Sequence, residues 1–143
     1  MIEYFDSAYL AKCYLEDPES GKIRELVKRI EKVYSSALCI AEVSCALHRS
    51  VREKRITRGE ASHLRMTFLQ DVSIGIVQMI PVTDIILRAV DATVAKMPDT
   101  IFLRASDAVH LASAQHDGFG EIWSNDRHML KAAPHFGITG RSI

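Results

Sequence analysis

Four short apolar runs, "IEYF" (2–5), "VYSSAL" (33–38), "IVQMIPV" (76–82) and "EIWS" (121–124), are each followed by a segment with helical spacing. This alternation restricts the fold more than any other feature of the chain. Strands that are apolar along most of their length need cover on both faces, and helices crossing between parallel strands supply it. The expected architecture is α/β: a three-layer α/β/α sandwich around a mainly parallel four- to five-stranded sheet. The candidate fifth strand is "GIT" (137–139).

The helical segments differ in character. "DPESGKIRELVKRIEK" mixes charged and apolar residues at three- and four-residue spacing, as an exposed amphipathic helix does. "CIAEVSCALHRSVREK" is apolar early and basic late, and "TDIILRAVDATVAKM" keeps a clean apolar stripe from Thr83 onward. "RASDAVHLASAQHDG" is rich in small residues, which predicts close packing, and Gly118 is placed to end it.

At 143 residues the chain is expected to form one domain, 1–143, burying roughly two-thirds of its unfolded surface. Eighteen basic residues balance eighteen acidic ones, so no global positive field advertises a nucleic-acid partner. No apolar run reaches the ~20 residues of a membrane span, and "MIEYFDSAYL" lacks the basic start and apolar core of a signal peptide. Cys13, Cys39 and Cys45 are odd in number and show no C-x-x-C spacing. They read as buried thiols in a reducing compartment, not as disulfides or a zinc site, which predicts a cytoplasmic protein.

In parallel α/β sheets, ligands bind beyond the carboxyl ends of strands, where connections leave for opposite faces. Acids recur at that address. Asp6 follows the first strand, Asp126 the fourth, Glu42 lies early in the helix after the second, and Asp107 opens "SDAVHLASA". Asp6, Asp126 and either Ser106 or Asp107 are also placed to cap helices. Glu42 is different: it interrupts "LCIAEVSCAL", where a carboxylate needs a partner or a cation. Two carboxylates ~4 Å apart repel by roughly 4 kcal/mol at an effective dielectric near 20, so several in one crevice share protons or hold a cation. Oxygen ligands without His or Cys companions suit Mg²⁺ or Mn²⁺. Ser7 and Ser124 stand beside two of the acids, placed for a water or a phosphate or for local backbone bonding.

The elements "DSA" (6–8), "AEV" (41–43), "SDAVHLASA" (106–114) and "WSNDRHML" (123–130), in that order and over essentially the whole chain, resemble the PIN-domain family and its VapC-type toxins. The resemblance implies that Asp6, Glu42, Asp107 and Asp126 bind Mg²⁺ or Mn²⁺, with Ser124 in support. It implies an endoribonuclease in which a metal-activated water attacks phosphorus, leaving a 5′-phosphate and a 3′-hydroxyl. It further implies a homodimer and a cognate antitoxin whose tail enters the acidic groove. Ala8 departs from the family, which often carries a polar residue there, so one nearby polar group is lost.

A polyanion needs cations beside such a crevice. Between His48 and Arg65 lie Arg49, Arg52, Lys54, Arg55, Arg58 and Arg65 against Glu53 and Glu60, a local excess of four in a neutral chain. These are expected to meet RNA phosphate or antitoxin, or simply to form a solvated face. Arg104 and Arg127 flank two of the acids and suit phosphate binding or carboxylate orientation. His110, three residues after Asp107, could face the same side of the helix but reads as a packed or surface-exposed residue and not as a catalytic one. An aspartate-nucleophile phosphatase would need a second Asp where Ala8 stands. The remaining alternative is a catalytically idle PIN-like module that holds RNA or a protein.

Overall fold

Side chains alternate across the strands, and the alternation sorts the helices into two layers. The computed structural model describes residues 1–143. Strands β1 (Ile2–Tyr4), β2 (Lys32–Ser36) and β3 (Val77–Ile80) pair in parallel in the order β1-β2-β3. Strand β4 (Glu121–Trp123) pairs in parallel with β5 (Thr139–Arg141). A bridge between Phe5 and Trp123, with the Asp6 amide donating to the Trp123 carbonyl at 3.1 Å, joins the two ribbons. The strands therefore run 3-2-1-4-5, and β1 and β4 flank the point where strand order reverses.

Helices α1 (Ser7–Ala11), α2 (Ser20–Val27), α3 (Cys39–Arg52) and α4 (Arg58–Ser73) share one core with Phe5, Val33 and Val77. Helices α5 (Asp84–Val94), α6 (Ala105–His116) and α7 (Arg127–Ala132) share the other with Tyr4, Ile80 and Ile122. Adjacent residues such as Tyr4 and Phe5 thus face opposite layers, as the two-residue period of a strand requires. The expected α/β/α sandwich is what forms. At α6 the small residues Ala108, Ala112, Ser113 and Ala114 are all buried, which lets the helix lie close to its neighbours.

Element ends differ from the expected ones for local reasons. The third strand stops at Ile80 because Pro81 has no N–H to extend the ladder. The fifth begins at Thr139, because the 3₁₀ turn Ala133–Phe136 closes on Gly137 in the left-handed region (φ 68°). Helix α4 starts where Thr57 and Glu60 form a reciprocal capping box. Gly118, at φ 82°, follows the end of α6 as expected.

Candidate active site at the switch point of the sheet

Asp6 leaves β1 and caps α1, its Oδ1 accepting the Tyr9 N–H at 2.6 Å. Asp126 follows β4 and caps α7, its Oδ1 accepting from His128 at 2.8 Å and Met129 at 3.2 Å. Capping is thus real for both acids. Ser124, fully buried, lies near both: its Oγ accepts the Asp126 N–H at 3.0 Å, and its hydroxyl is near enough to Asp6 to favour the ionised carboxylate.

Capping does not explain Asp107. The residue before α6 is Arg104, without a side-chain cap, and Asp107 lies within the first turn. The capping role considered for Ser106 or Asp107 is therefore not taken. Arg104 Nε stands 3.5 Å from Asp107 Oδ2, and Arg104 Nη2 stands 3.3 Å from Asp126 Oδ2. The first separation is too long for a good hydrogen bond, and the buried Oδ2 of Asp107 is left without a hydrogen-bond partner. The Arg104 side chain is 61% exposed, so this clasp is largely hydrated.

Glu42 sits in the first turn of α3 and is half-buried. Its partner is not an arginine. Ser7 Oγ donates to Glu42 Oε1 at 2.9 Å, and His110 Nε2 lies 2.9 Å from the same oxygen. His110 is 1% exposed and reaches Tyr4 Oη through Nδ1 at 2.9 Å. Ser7 therefore bonds across elements and not to local backbone. His110 is the residue that sequence reasoning undervalued; its position three residues after Asp107 was the available signal, since it sets both on one helix face.

The electrostatics are those of a crowded acidic crevice. Burial pushes the Asp6 carboxyl above the usual range, and the charge of Asp107 adds to that push against the bonds from Ser124 and Tyr9. Burial also raises Asp107, with Asp126 adding repulsion and Arg104 opposing it. At Glu42 burial acts in the same upward sense, but His110 and Ser7 outweigh it and hold the carboxyl below its ordinary value. Asp6, Asp107 and Asp126 are thus neighbours in charge, and His110 touches the fields of Asp6 and Asp107 as well as Glu42 itself. No group of three or more His, Cys, Asp or Glu stands arranged as a finished ligand set. The donor chemistry nonetheless fits a hard divalent cation: the acids repel one another, and Asp107 presents a buried oxygen with nothing bonded to it. Asp6, Glu42, Asp107 and Asp126 are the residues that could hold one.

Arg127 is exposed at the first turn of α7. The basic stretch divides in two. Arg49 and Arg55 both engage Glu53, whereas Arg52, Arg58 and Arg65 line a groove of about 760 Å³ between α3 and α4 with His48.

Fold and crevice together define a class: a parallel α/β sandwich with acids and hydroxyls gathered at the switch point of its sheet. The chain belongs to the PIN domain family, which it matches over residues 4–134. Across 138 residues it is 28% identical to Ribonuclease VapC46 of Mycobacterium tuberculosis, covering 94% of this chain and 92% of that protein. Among solved structures it is similar to VapC20 of Mycobacterium tuberculosis, described as a sarcin-ricin loop cleaving toxin. The TM-score there is 0.71 at 17% identity, over 92% of this chain and 95% of that one. VapBC2 from Rickettsia felis, bound to a DNA fragment from its promoter, gives 0.69 at 12% identity over 100% and 99%. FitAB bound to a DNA fragment gives 0.70 at 13% identity over 99% and 94%. These structural likenesses speak for the fold. No helix of the chain is long and apolar enough to cross a membrane.

Proposed function

We propose that the chain is a Mg²⁺- or Mn²⁺-dependent endoribonuclease, the toxin of a toxin–antitoxin pair, acting in the cytoplasm as one PIN unit over residues 1–143. The observation that carries this reading is the buried Oδ2 of Asp107, which has no hydrogen-bond partner and lies within the charge influence of Asp6 and Asp126 at the ends of β1 and β4. Asp6, Glu42, Asp107 and Asp126 would hold the ion. When bound there, a divalent cation supplies charge neutralisation at the phosphate and an acidified water. Hydrolysis would add the hydroxyl of a water to phosphorus and break the bond to the 3′ oxygen, which would take up the proton, leaving 5′-phosphate and 3′-hydroxyl ends.

The protein's own side chains prepare this step. Ser124 fixes the Asp126 backbone, and Ser7 fixes one oxygen of Glu42. Arg104 neutralises Asp107 and Asp126 in the free protein and is placed to turn to a substrate phosphate, with Arg127 on the next element. Arg52, Arg58 and Arg65 offer cations without carboxylate partners to the flanking RNA backbone. The VapBC2 and FitAB neighbours support an antitoxin partner for this chain too, and the homodimer is proposed from the family resemblance alone.

Purified protein incubated with end-labelled RNA and Mg²⁺, Mn²⁺ or EDTA, beside Asp6→Asn and Asp126→Asn, tests the reading. Cuts that need metal and vanish in both variants support it. One observation favours an idle binding module instead, namely the Arg104 clasp where a cation would sit. RNA retained without cleavage under every metal condition would select that alternative.

A further inference from the structure

We infer that His110 is a positioning residue that fixes Glu42 for cation binding, through a hydrogen-bond chain running from Tyr4 of β1 across the core. The inference rests on the metal-site reading above. The Glu42 carboxylate only accepts, so His110 Nε2, 2.9 Å from Oε1 and 2.9 Å from Ser7 Oγ, carries the ring proton. In the neutral ring Nδ1 is then an acceptor, and the Tyr4 hydroxyl, 2.9 Å away, donates to it. Ser7 donates to that same Glu42 oxygen.

Two donors therefore converge on Oε1, while Oε2 keeps no hydrogen bond within the protein. A glutamate on an open helix turn ordinarily samples several rotamers, and freezing it costs conformational entropy when a ligand arrives. Here that ordering is done by the core. Tyr4 and His110 are both buried, and their rings meet edge to face at 6.0 Å, so neither can swing away without opening the layer between sheet and α6. One carboxylate oxygen is clamped and the other is left to bind. A donor behind a ligand carboxylate commonly changes metal affinity by about 10–100-fold.

Mn²⁺ titration calorimetry on the metal-free protein, well below its melting temperature, tests this without any substrate. His110→Leu is expected to weaken Mn²⁺ binding by about tenfold or more. His110→Gln, whose amide nitrogen reaches the place of Nε2, is expected to restore most of that loss. Tyr4→Phe removes the donor to Nδ1 and is expected to weaken binding by a smaller factor; it also serves if His110→Leu does not fold. Adding His110→Leu to Glu42→Gln is expected to change little, because the effect passes through Glu42. His110→Leu binding as tightly as wild type overturns the inference alone, and so does failure of the Gln variant to rescue. Wild-type protein that binds no Mn²⁺ overturns the metal site itself, and this inference with it.

Discussion

Asp126→Asn separates the two roles that the structure gives this residue. Its Oδ1 accepts two backbone N–H groups of α7, and its Oδ2 faces Arg104. Asparagine keeps a cap oxygen, and Asn ranks with Asp at this position. The substitution therefore loses the Arg104 interaction, worth at most about 1 kcal/mol at so exposed a guanidinium. Against that, it removes the repulsion by which Asp126 raises Asp107. The two changes oppose each other, so the metal-free variant should melt within roughly 4 °C of wild type, taking about 4 °C per kcal/mol for a chain this long. Asp126→Ala, by contrast, abandons the cap and should cost about 1–2 kcal/mol, or roughly 4–8 °C. Mn²⁺ at ~100 times its dissociation constant should stabilise wild type by about 2.7 kcal/mol. Asp126→Asn should lose most of that gain. Thermal melts of the three proteins with and without Mn²⁺ read all of this directly. An Asn variant that falls as far as the Ala variant without metal, or that gains as much from Mn²⁺ as wild type, would refute the reasoning.

Other outcomes follow from the same geometry. Asp6 and Asp107 hold protons more tightly folded than unfolded, so they penalise folding above their folded values and release the penalty as pH falls toward ~3.9. Asp6→Asn, which retains a cap, should accordingly be more urea-resistant than wild type at neutral pH, with the advantage gone near pH 4. Glu42 has the opposite sign: its contribution is present above the unfolded value of ~4.3 and lost as pH falls through the lowered folded one, so Glu42→Gln should flatten the acid limb of the stability curve. Arg104→Gln removes the cation that competes for Asp107 and Asp126; calorimetry should show tighter Mn²⁺ binding, with metal-free stability changed by less than about 1 kcal/mol. Gly140→Ala would set a methyl 2.5 Å from Leu130 Cδ2 and 3.3 Å from Leu130 Cα, and should cost about 1–3 kcal/mol in a urea titration while leaving the acids in place.

The layered fold was legible because its cause is local. Alternation within "IEYF" sends Tyr4 and Phe5 to different cores, and the helical stripe of α5 or the small residues of α6 can be read one segment at a time. The crevice was legible for a related reason: strand ends collect at a switch point, so Asp6 and Asp126 could be placed there before any contact was known. What stays hidden in a sequence is the partner across the sheet. Glu42 lies 68 residues from His110, and Tyr4 lies 106 from it, so periodicity could put His110 on the Asp107 face without saying what stood opposite. Arg104 was legible as a neighbour of Asp107 but not as the link to Asp126, which depends on how α6 meets the β4–α7 junction.

Capping and ligand binding also proved not to be rival explanations. A carboxylate has two oxygens, and at Asp126 one is spent on the helix end while the other faces the crevice. Glu42 shows the same division by other means, with Oε1 held by His110 and Ser7 and Oε2 left free. Immobilising one oxygen of Asp6, Asp126 and Glu42 with backbone or buried donors aims the second before any ion arrives, whereas Asp107 has no such donor. Repulsion among the aimed oxygens then raises the affinity for a cation and lowers the stability of the empty protein together. Arg104 relieves part of that strain from the solvent side, which is why its removal should tighten metal binding and not weaken it.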